Sequence, residues 1–262
     1  MKNQKIVAII QARMGSSRLR GKVFMPIIGK PMLWHIVNRV KKAKFIDQVV
    51  VATSVEKNDD EIAEFCRKNN IDAFRGSEKN VLDRYYQCAK KYKADIVVRI
   101  TADCPLIDQE IIDKTIKFYN QGKYDLAGIA TGAGVSGKKI NKFPDGLDCT
   151  VFSMESLETS NKKATDKDDR EHVTLYIAKR PKEFKLGTLK SSKDYSNVRL
   201  TVDYKEDLEL VRKIYKELYS KDKIFGLSDI ISLIKRQPGL LKINQKYIGR
   251  EGYEKLWQKK IN

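Results

Sequence analysis

Short runs of β-branched and other apolar residues alternate along this chain with segments whose apolar positions recur every three to four residues. The runs KIVAII (5–10), QVVVAT (48–53), ADIVVRIT (94–101) and YDLAGIA (124–130) have strand length and composition. Between them, PMLWHIVNRVKKA (31–43), DDEIAEFCRKNN (59–70) and NVLDRYYQCAKKYK (80–93) each place apolar residues on one helical face. Strands that alternate with helices in this way wind into a mostly parallel sheet with helices on its faces, so the pattern predicts an α/β fold.

The rhythm breaks at TGAGVSGKKINKFPDG (131–146), where four glycines, a proline and several polar residues sustain neither period. A long surface loop or hairpin is expected there. Beyond it, LDCTVF (147–152), FKLGTL (184–189) and VRLTV (198–202) read as strands, and SMESLETSNKKA (153–164) and DREHVTLYIAKR (169–180) as helices. YKEDLELVRKIYKELY (204–219) is a long amphipathic helix, followed by LSDIISLIKRQ (227–237) and a basic tail containing GYEKLWQKK (252–260). No internal repeat interrupts this order, and one domain is the simplest organisation.

Composition narrows the class. With 262 residues, 41% hydrophobic and 33% charged, the chain can bury a sizeable core and reads as globular. No apolar run approaches the roughly 20 residues that cross a bilayer, and the N-terminus turns basic too soon for a signal peptide; a cytoplasmic protein is expected. Cys66, Cys88, Cys104 and Cys149 show no C-x-x-C spacing, and with only His35 and His172 beside them they read as free, buried thiols. The net charge of +18 is also a footprint of nucleic-acid binders. Here the lysines are spread along the chain and interleave with acids on helix faces, which favours anionic small substrates over nucleic acid.

One stretch stands out against this background. QARMGSSRLRGK (11–22) follows the first strand directly and combines glycines and paired serines with Arg13, Arg18, Arg20 and Lys22. Open α/β sheets place ligands beyond the carboxyl ends of their strands, and such a loop suits a polyphosphate through backbone amides and cations. It is no Walker A loop, which would need glycine at Ser16 and Ser or Thr at Val23. A basic surface loop without a ligand is the bland alternative.

The string IIQARMGSSRLRGKVFMPIIGKPML (9–33) resembles the N-terminal signature of the spore-coat polysaccharide cytidylyltransferase-like family, relatives of the CMP-sialate and CMP-Kdo synthetases. The resemblance continues through FRGSEKNVLDRYYQCAKKYKADIVVRITADCPLID (74–108), DREHVTLYI (169–177) and VRLTVDYKEDLELV (198–211). It implies a three-layer Rossmann-like nucleotidyltransferase domain spanning 1–262. Residues 131–183 would form a dimer-type, acceptor-binding insertion and 205–262 a C-terminal helical part. It further implies a homodimer that uses Mg²⁺ and CTP to activate an acidic sugar or related surface-polysaccharide precursor, with release of pyrophosphate. A sugar 1-phosphate acceptor or GTP is the neighbouring alternative, and a non-catalytic basic protein binding nucleic acid or anionic glycan the distant one.

The same resemblance assigns residues. Gln11, Ala12, Arg13, Gly15, Ser16, Ser17 and Lys22 would surround the triphosphate, with Arg13 and Lys22 catalytic through the phosphates. Arg20 stands where the family usually has proline. Asp103 and Asp203 each follow a predicted strand and would hold Mg²⁺ between them; without the resemblance, each reads rather as a cap of the following helix. Gly76, Ser77, Leu82 and Arg84, at a loop entering a helix, and Thr101 would meet the nucleotide; alternation places Arg99 on the face of Thr101. His172, Arg170, Asp145 and Asp148 would border the acceptor. No general base stands out: an anionic nucleophile needs none, and for a sugar hydroxyl the metal or His172 would serve.

Overall fold

β1 (Ile6–Gln11) is buried along nearly its whole length, as a strand covered on both faces must be. A computed structural model, which describes residues 4–131 and 140–248, places it in the interior of a seven-stranded sheet. From β1 the chain passes through a loop into a two-stranded ribbon, β2 (Pro26–Ile27) and β3 (Lys30–Pro31), then α1 (Met32–Val40) and β4 (Gln48–Ser54). α2 (Asp60–Lys68), β5 (Asp72–Gly76), α3 (Val81–Lys91), β6 (Ile96–Thr101), α4 (Gln109–Gly122), β7 (Leu126–Ile129) and β8 (Thr150–Ser153) follow. The chain continues with α5 (Met154–Lys163), α6 (Lys167–Glu171), α7 (Leu175–Ala178), β9 (Leu186–Leu189), α8 (Lys205–Leu218) and α9 (Leu227–Arg236).

The strand order is β5-β4-β1-β6-β8-β7-β9, and β8 alone runs against its neighbours. Winding proceeds outward from β1 to β4 and β5, then returns with β6 to the other side of β1. The direction of winding across the sheet therefore reverses between the parallel strands β1 and β6, and the loops leaving their carboxyl ends part around a crevice. That crevice receives the 11–22 loop and the segment after Thr101.

Alternate residues of the central strands feed two cores. Ala8 and Ile10 pack with α1, α2, α4, α8 and α9. Val7 and Ile9 pack on the other face with Leu82 and Tyr85 of α3, Leu157 of α5 and Ile177 of α7. The result is the expected three-layer, mostly parallel α/β fold. All four cysteines are buried and free. Among the described residues, no helix is long and apolar enough to cross a membrane.

Several local expectations fail for physical reasons. The segment 198–202 is no sheet strand; it is extended, touches Asp145 through an isolated bridge at Arg199, and donates Val202 N–H to the Asp103 carbonyl at 2.8 Å. DREHVTLYIAKR is not one helix, because Val173 adopts φ 39° between α6 and α7. A buried β-branched residue in that left-handed region ends any helix. The later part of 131–146 is not at the surface: Phe143, Pro144 and Asp145 are buried. Residues 132–139 and the GYEKLWQKK tail lie outside the described residues. β5, a half-exposed edge strand with Asp72 and Arg75, and the 14-residue α4 carried signals that the alternation of long apolar runs did not expose.

Candidate active site

The loop after β1 is held from beneath. Buried Asp59, just before α2, accepts the Met14 N–H at 2.7 Å with one oxygen and the Ser54 hydroxyl at 2.5 Å with the other. Leu19 is buried beneath the loop, and Gly21, at φ 68°, turns the chain into a 3-10 turn, Lys22–Phe24. Between these anchors Arg13, Gly15, Ser17, Arg18 and Arg20 face solvent. Nothing comes nearer than 3.9 Å to a Cβ built on Gly15, so no protein group dictates glycine there. Ser16 accepts the Leu19 N–H at 3.3 Å and shapes the turn. Ala12 is buried, with its N–H given to the Ala52 carbonyl. The Gln11 side-chain oxygen is buried with no hydrogen-bond partner among the described residues.

The two predicted carboxylates converge on Lys22. Its Nζ lies 2.9 Å from Asp203 Oδ1 and 3.3 Å from Asp103 Oδ2, and it donates to the Val202 carbonyl at 2.7 Å. Thr101 Oγ1 donates to Asp103 Oδ1 at 2.6 Å. Burial works against the Asp103 charge, but Lys22 and these hydrogen bonds outweigh it and hold the carboxyl at about 2. Burial also opposes the Lys22 ammonium, and Asp103 and Asp203 overcome that, raising its pKa. Arg18 reaches Asp203 Oδ1 at 2.8 Å, yet its side chain is 41% exposed against 9% for Asp203.

Behind Asp203 lies a buried ion network that the sequence did not advertise. Arg199 binds Asp145 at 2.7 Å, Asp203 at 3.2 Å and Asp207 at 3.0 Å. Burial disfavours the guanidinium, but the three carboxylates raise its pKa, led by Asp207. The chain could have signalled this only through the spacing Arg199, Asp203, Asp207, which places the two acids four residues apart at a helix start.

The second loop is organised around a buried cation. Ser77 Oγ accepts the Asn80 N–H at 3.0 Å, and Asn80 caps α3 by accepting Asp83 N–H at 3.1 Å. Arg84 is 1% exposed. It donates to the Ser77 carbonyl at 2.7 Å, while its Nε and Nη2 have no hydrogen-bond partner among the described residues. Burial lowers its pKa. A Cβ on Gly76 would lie 2.9 Å from Arg84 Cγ, so glycine is what lets β5 pass over this side chain. The Leu82 side chain is fully buried in the core under α3.

The acceptor-side candidates divide. Asp148 accepts the Thr131 hydroxyl at 2.6 Å and Gly146 N–H at 3.0 Å; burial raises its pKa, and Asp103 adds to this while Arg99 opposes it. His172 is half-buried where α6 ends, its pKa lowered by burial, with Arg99 among the charges it feels. Asp148 and His172 thus share the field of Arg99 on β6. Asp145 instead forms a buried ion pair with Arg199, and Arg170 donates to Asn161 of α5 at 2.8 Å. Those two side chains brace the structure.

A sequence model of the cytidylyltransferase family matches residues 7–250. The chain belongs to the cytidylyltransferase family. The enzyme is 32% identical over 240 residues to the spore coat polysaccharide biosynthesis protein SpsF of Bacillus subtilis, covering 89% of this chain and 95% of that one. A cytidylyltransferase structure from Leptospira borgpetersenii serovar Hardjo-bovis superposes with a TM-score of 0.82 at 34% identity, covering 91% of this chain and 97% of that one. At 20% identity, a CMP:2-keto-3-deoxy-manno-octonic acid synthetase complexed with CTP shares the fold, with a TM-score of 0.61 over 82% of this chain and all of that one. The enzyme therefore places its 11–22 loop, Asp103 and Asp203 at the switch point of a nucleotidyltransferase fold.

Proposed function

We propose that this cytidylyltransferase uses CTP and Mg²⁺ to activate an acidic sugar or a related precursor of a surface polysaccharide, releasing pyrophosphate. The convergence of Asp103 and Asp203 on buried Lys22, which ends the 11–22 loop, carries this reading. Among the described residues no three His, Cys, Asp or Glu side chains gather as a metal cage. Two carboxylates that already share a cation suit Mg²⁺, which takes one or two protein carboxylates and completes its shell with phosphate and water. When bound, Mg²⁺ would supply charge neutralisation to the triphosphate.

The chain's own groups do the rest. Arg13, Arg18 and Lys22 surround the phosphates with positive charge, and the Asp59-anchored backbone fixes the loop that presents them. Nucleotidyl transfer is governed by such positioning and electrostatics. The unpaired donors of Arg84, beside Gly76 and Ser77, offer hydrogen bonds toward the nucleotide. Asp148 and His172, with Arg99 between them electrostatically, border the acceptor. SpsF, by its name, works in spore-coat polysaccharide biosynthesis, which supports a surface-polysaccharide precursor, and the name of the CMP:2-keto-3-deoxy-manno-octonic acid synthetase supports an acidic sugar acceptor.

The test is pyrophosphate release from each of the four NTPs with Mg²⁺ across a panel of keto-sugar acids and sugar 1-phosphates. CTP with an acidic sugar should turn over, and Asp103→Ala should lower kcat at least about a hundredfold. A folded enzyme that turns over GTP alone, or whose Asp103→Ala variant keeps full activity, would overturn the reading.

A further inference from the structure

The described C-terminus returns beneath the site. After α9, a 3-10 turn, Pro238–Ile243, leads to Asn244 and a second turn, Gln245–Tyr247. Asn244 is 1% exposed, and its amide donates to Asp207 Oδ1 at 2.8 Å and to the Arg199 carbonyl at 3.0 Å, which uses both of its hydrogens. Asp207 passes this constraint on. Its Oδ2 accepts the backbone N–H groups of Asp203 and Tyr204, each at 3.0 Å, and Arg199 Nη2 at 3.1 Å.

A second route runs through aromatic rings. Tyr247 stacks on Tyr204, with centroids 3.8 Å apart and planes within 3°, and its hydroxyl donates to Glu206 at 3.0 Å. Lys246 closes on the other oxygen of Glu206 at 2.7 Å. Arg18 lies 5.5 Å over the Tyr204 ring while it binds Asp203. The most exposed cation on Asp203 is therefore seated on a ring that the C-terminal segment holds.

We propose that Asn244 and Tyr247 are positioning residues, which set where the Asp203 carboxylate and the Arg18 guanidinium stand at the mouth of the 11–22 loop. Asn244 acts through Asp207, and Tyr247 through Tyr204. The kinetic half of this claim rests on the nucleotidyltransferase reading above; the structural half does not.

Steady-state kinetics with CTP and Mg²⁺, together with backbone hydrogen exchange, test it. Tyr247→Ala should raise the KM for CTP about three- to fivefold, the worth of an exposed cation–π contact, with kcat nearly unchanged. Tyr247→Phe keeps the stack and should restore the wild-type KM. Asn244→Ala should lower kcat about tenfold and raise the Mg²⁺ needed for half-activity, because Asp203 loses its fixed backbone. In the same variant the Asp203 and Tyr204 amides should exchange at least about tenfold faster, with those of β4 and β5 unchanged. Equal KM values in all Tyr247 variants, or exchange that rises uniformly across the sheet in Asn244→Ala, would overturn the proposal. If wild-type protein releases no pyrophosphate from CTP, the functional reading fails by itself, and the exchange rates at Asp203 and Tyr204 still decide the positioning claim.

Discussion

Lys22 holds together groups that would otherwise repel. Its ammonium satisfies two carboxylates and a main-chain carbonyl in a pocket where only 11% of its side chain meets solvent. Lys22→Met keeps the length of the stem and removes the charge, leaving Asp103 and Asp203 with one cation fewer. Removing one partner of a buried pair costs about 3 kcal/mol. Urea denaturation at pH 7 should show that loss, and the difference from wild type should shrink at low pH, where Asp103 takes up a proton. A loss that does not vary with pH would contradict the assigned electrostatics. Asp59 and Arg84 belong to the same account: one anchors the loop through the Met14 N–H, and the other keeps two donors unpaired beside Gly76.

Helix starts around the crevice are fixed by side chains, and the number of ends each side chain serves ranks their importance. Asn80 caps α3 alone. Asp108 accepts Glu110 N–H and Ile111 N–H with one oxygen and Leu227 N–H with the other, so it caps α4 and also anchors the first residue of α9. Asn80→Ala should cost about 1 kcal/mol, the usual worth of one cap, and Asp108→Ala about 2 kcal/mol or more. Thermal denaturation of the two variants checks the order. If Asn80→Ala is the more damaging, the caps do not govern stability in the way the bonds indicate.

Across the molecule, protonation links burial to stability. Burial lowers the His35 pKa below its ordinary 6.5, although the Ile27 carbonyl at 2.7 Å works the other way. Burial lowers His172 as well. Below pH 6.5 the unfolded chain therefore binds protons that the folded one refuses, and stability falls. Asp103, held at about 2 against an ordinary 3.8, contributes stability above pH 3.8 that is lost as pH falls toward 2. The denaturant midpoint should drop from pH 7.5 to 5.5 and again below pH 4, and His35→Gln should flatten the first step. A midpoint that rises on acidification to pH 5.5 would count against both histidine assignments. The charge of +18 adds self-repulsion, which salt relieves by screening.

The fold class was readable in the order of residues because strand and helix periods are local properties, repeated often enough along 5–130 to leave one architecture. The 11–22 loop was readable for a related reason: its chemistry lies in one short string at the end of β1. The two aspartates were singled out only through the family resemblance, and Asp203 follows a segment that is no sheet strand. Neither period nor motif reports contacts between distant segments. Val173's left-handed turn, the burial of Arg84, the withdrawal of Asp145 and Arg170 into internal ion pairs and hydrogen bonds, and the Arg199 network each follow from packing across the fold. Lys22 and Asp203 are 181 residues apart in the chain. Their meeting depends on β6 turning back beside β1 and on the 198–202 segment bonding to Asp103, and only the assembled sheet brings those partners within reach.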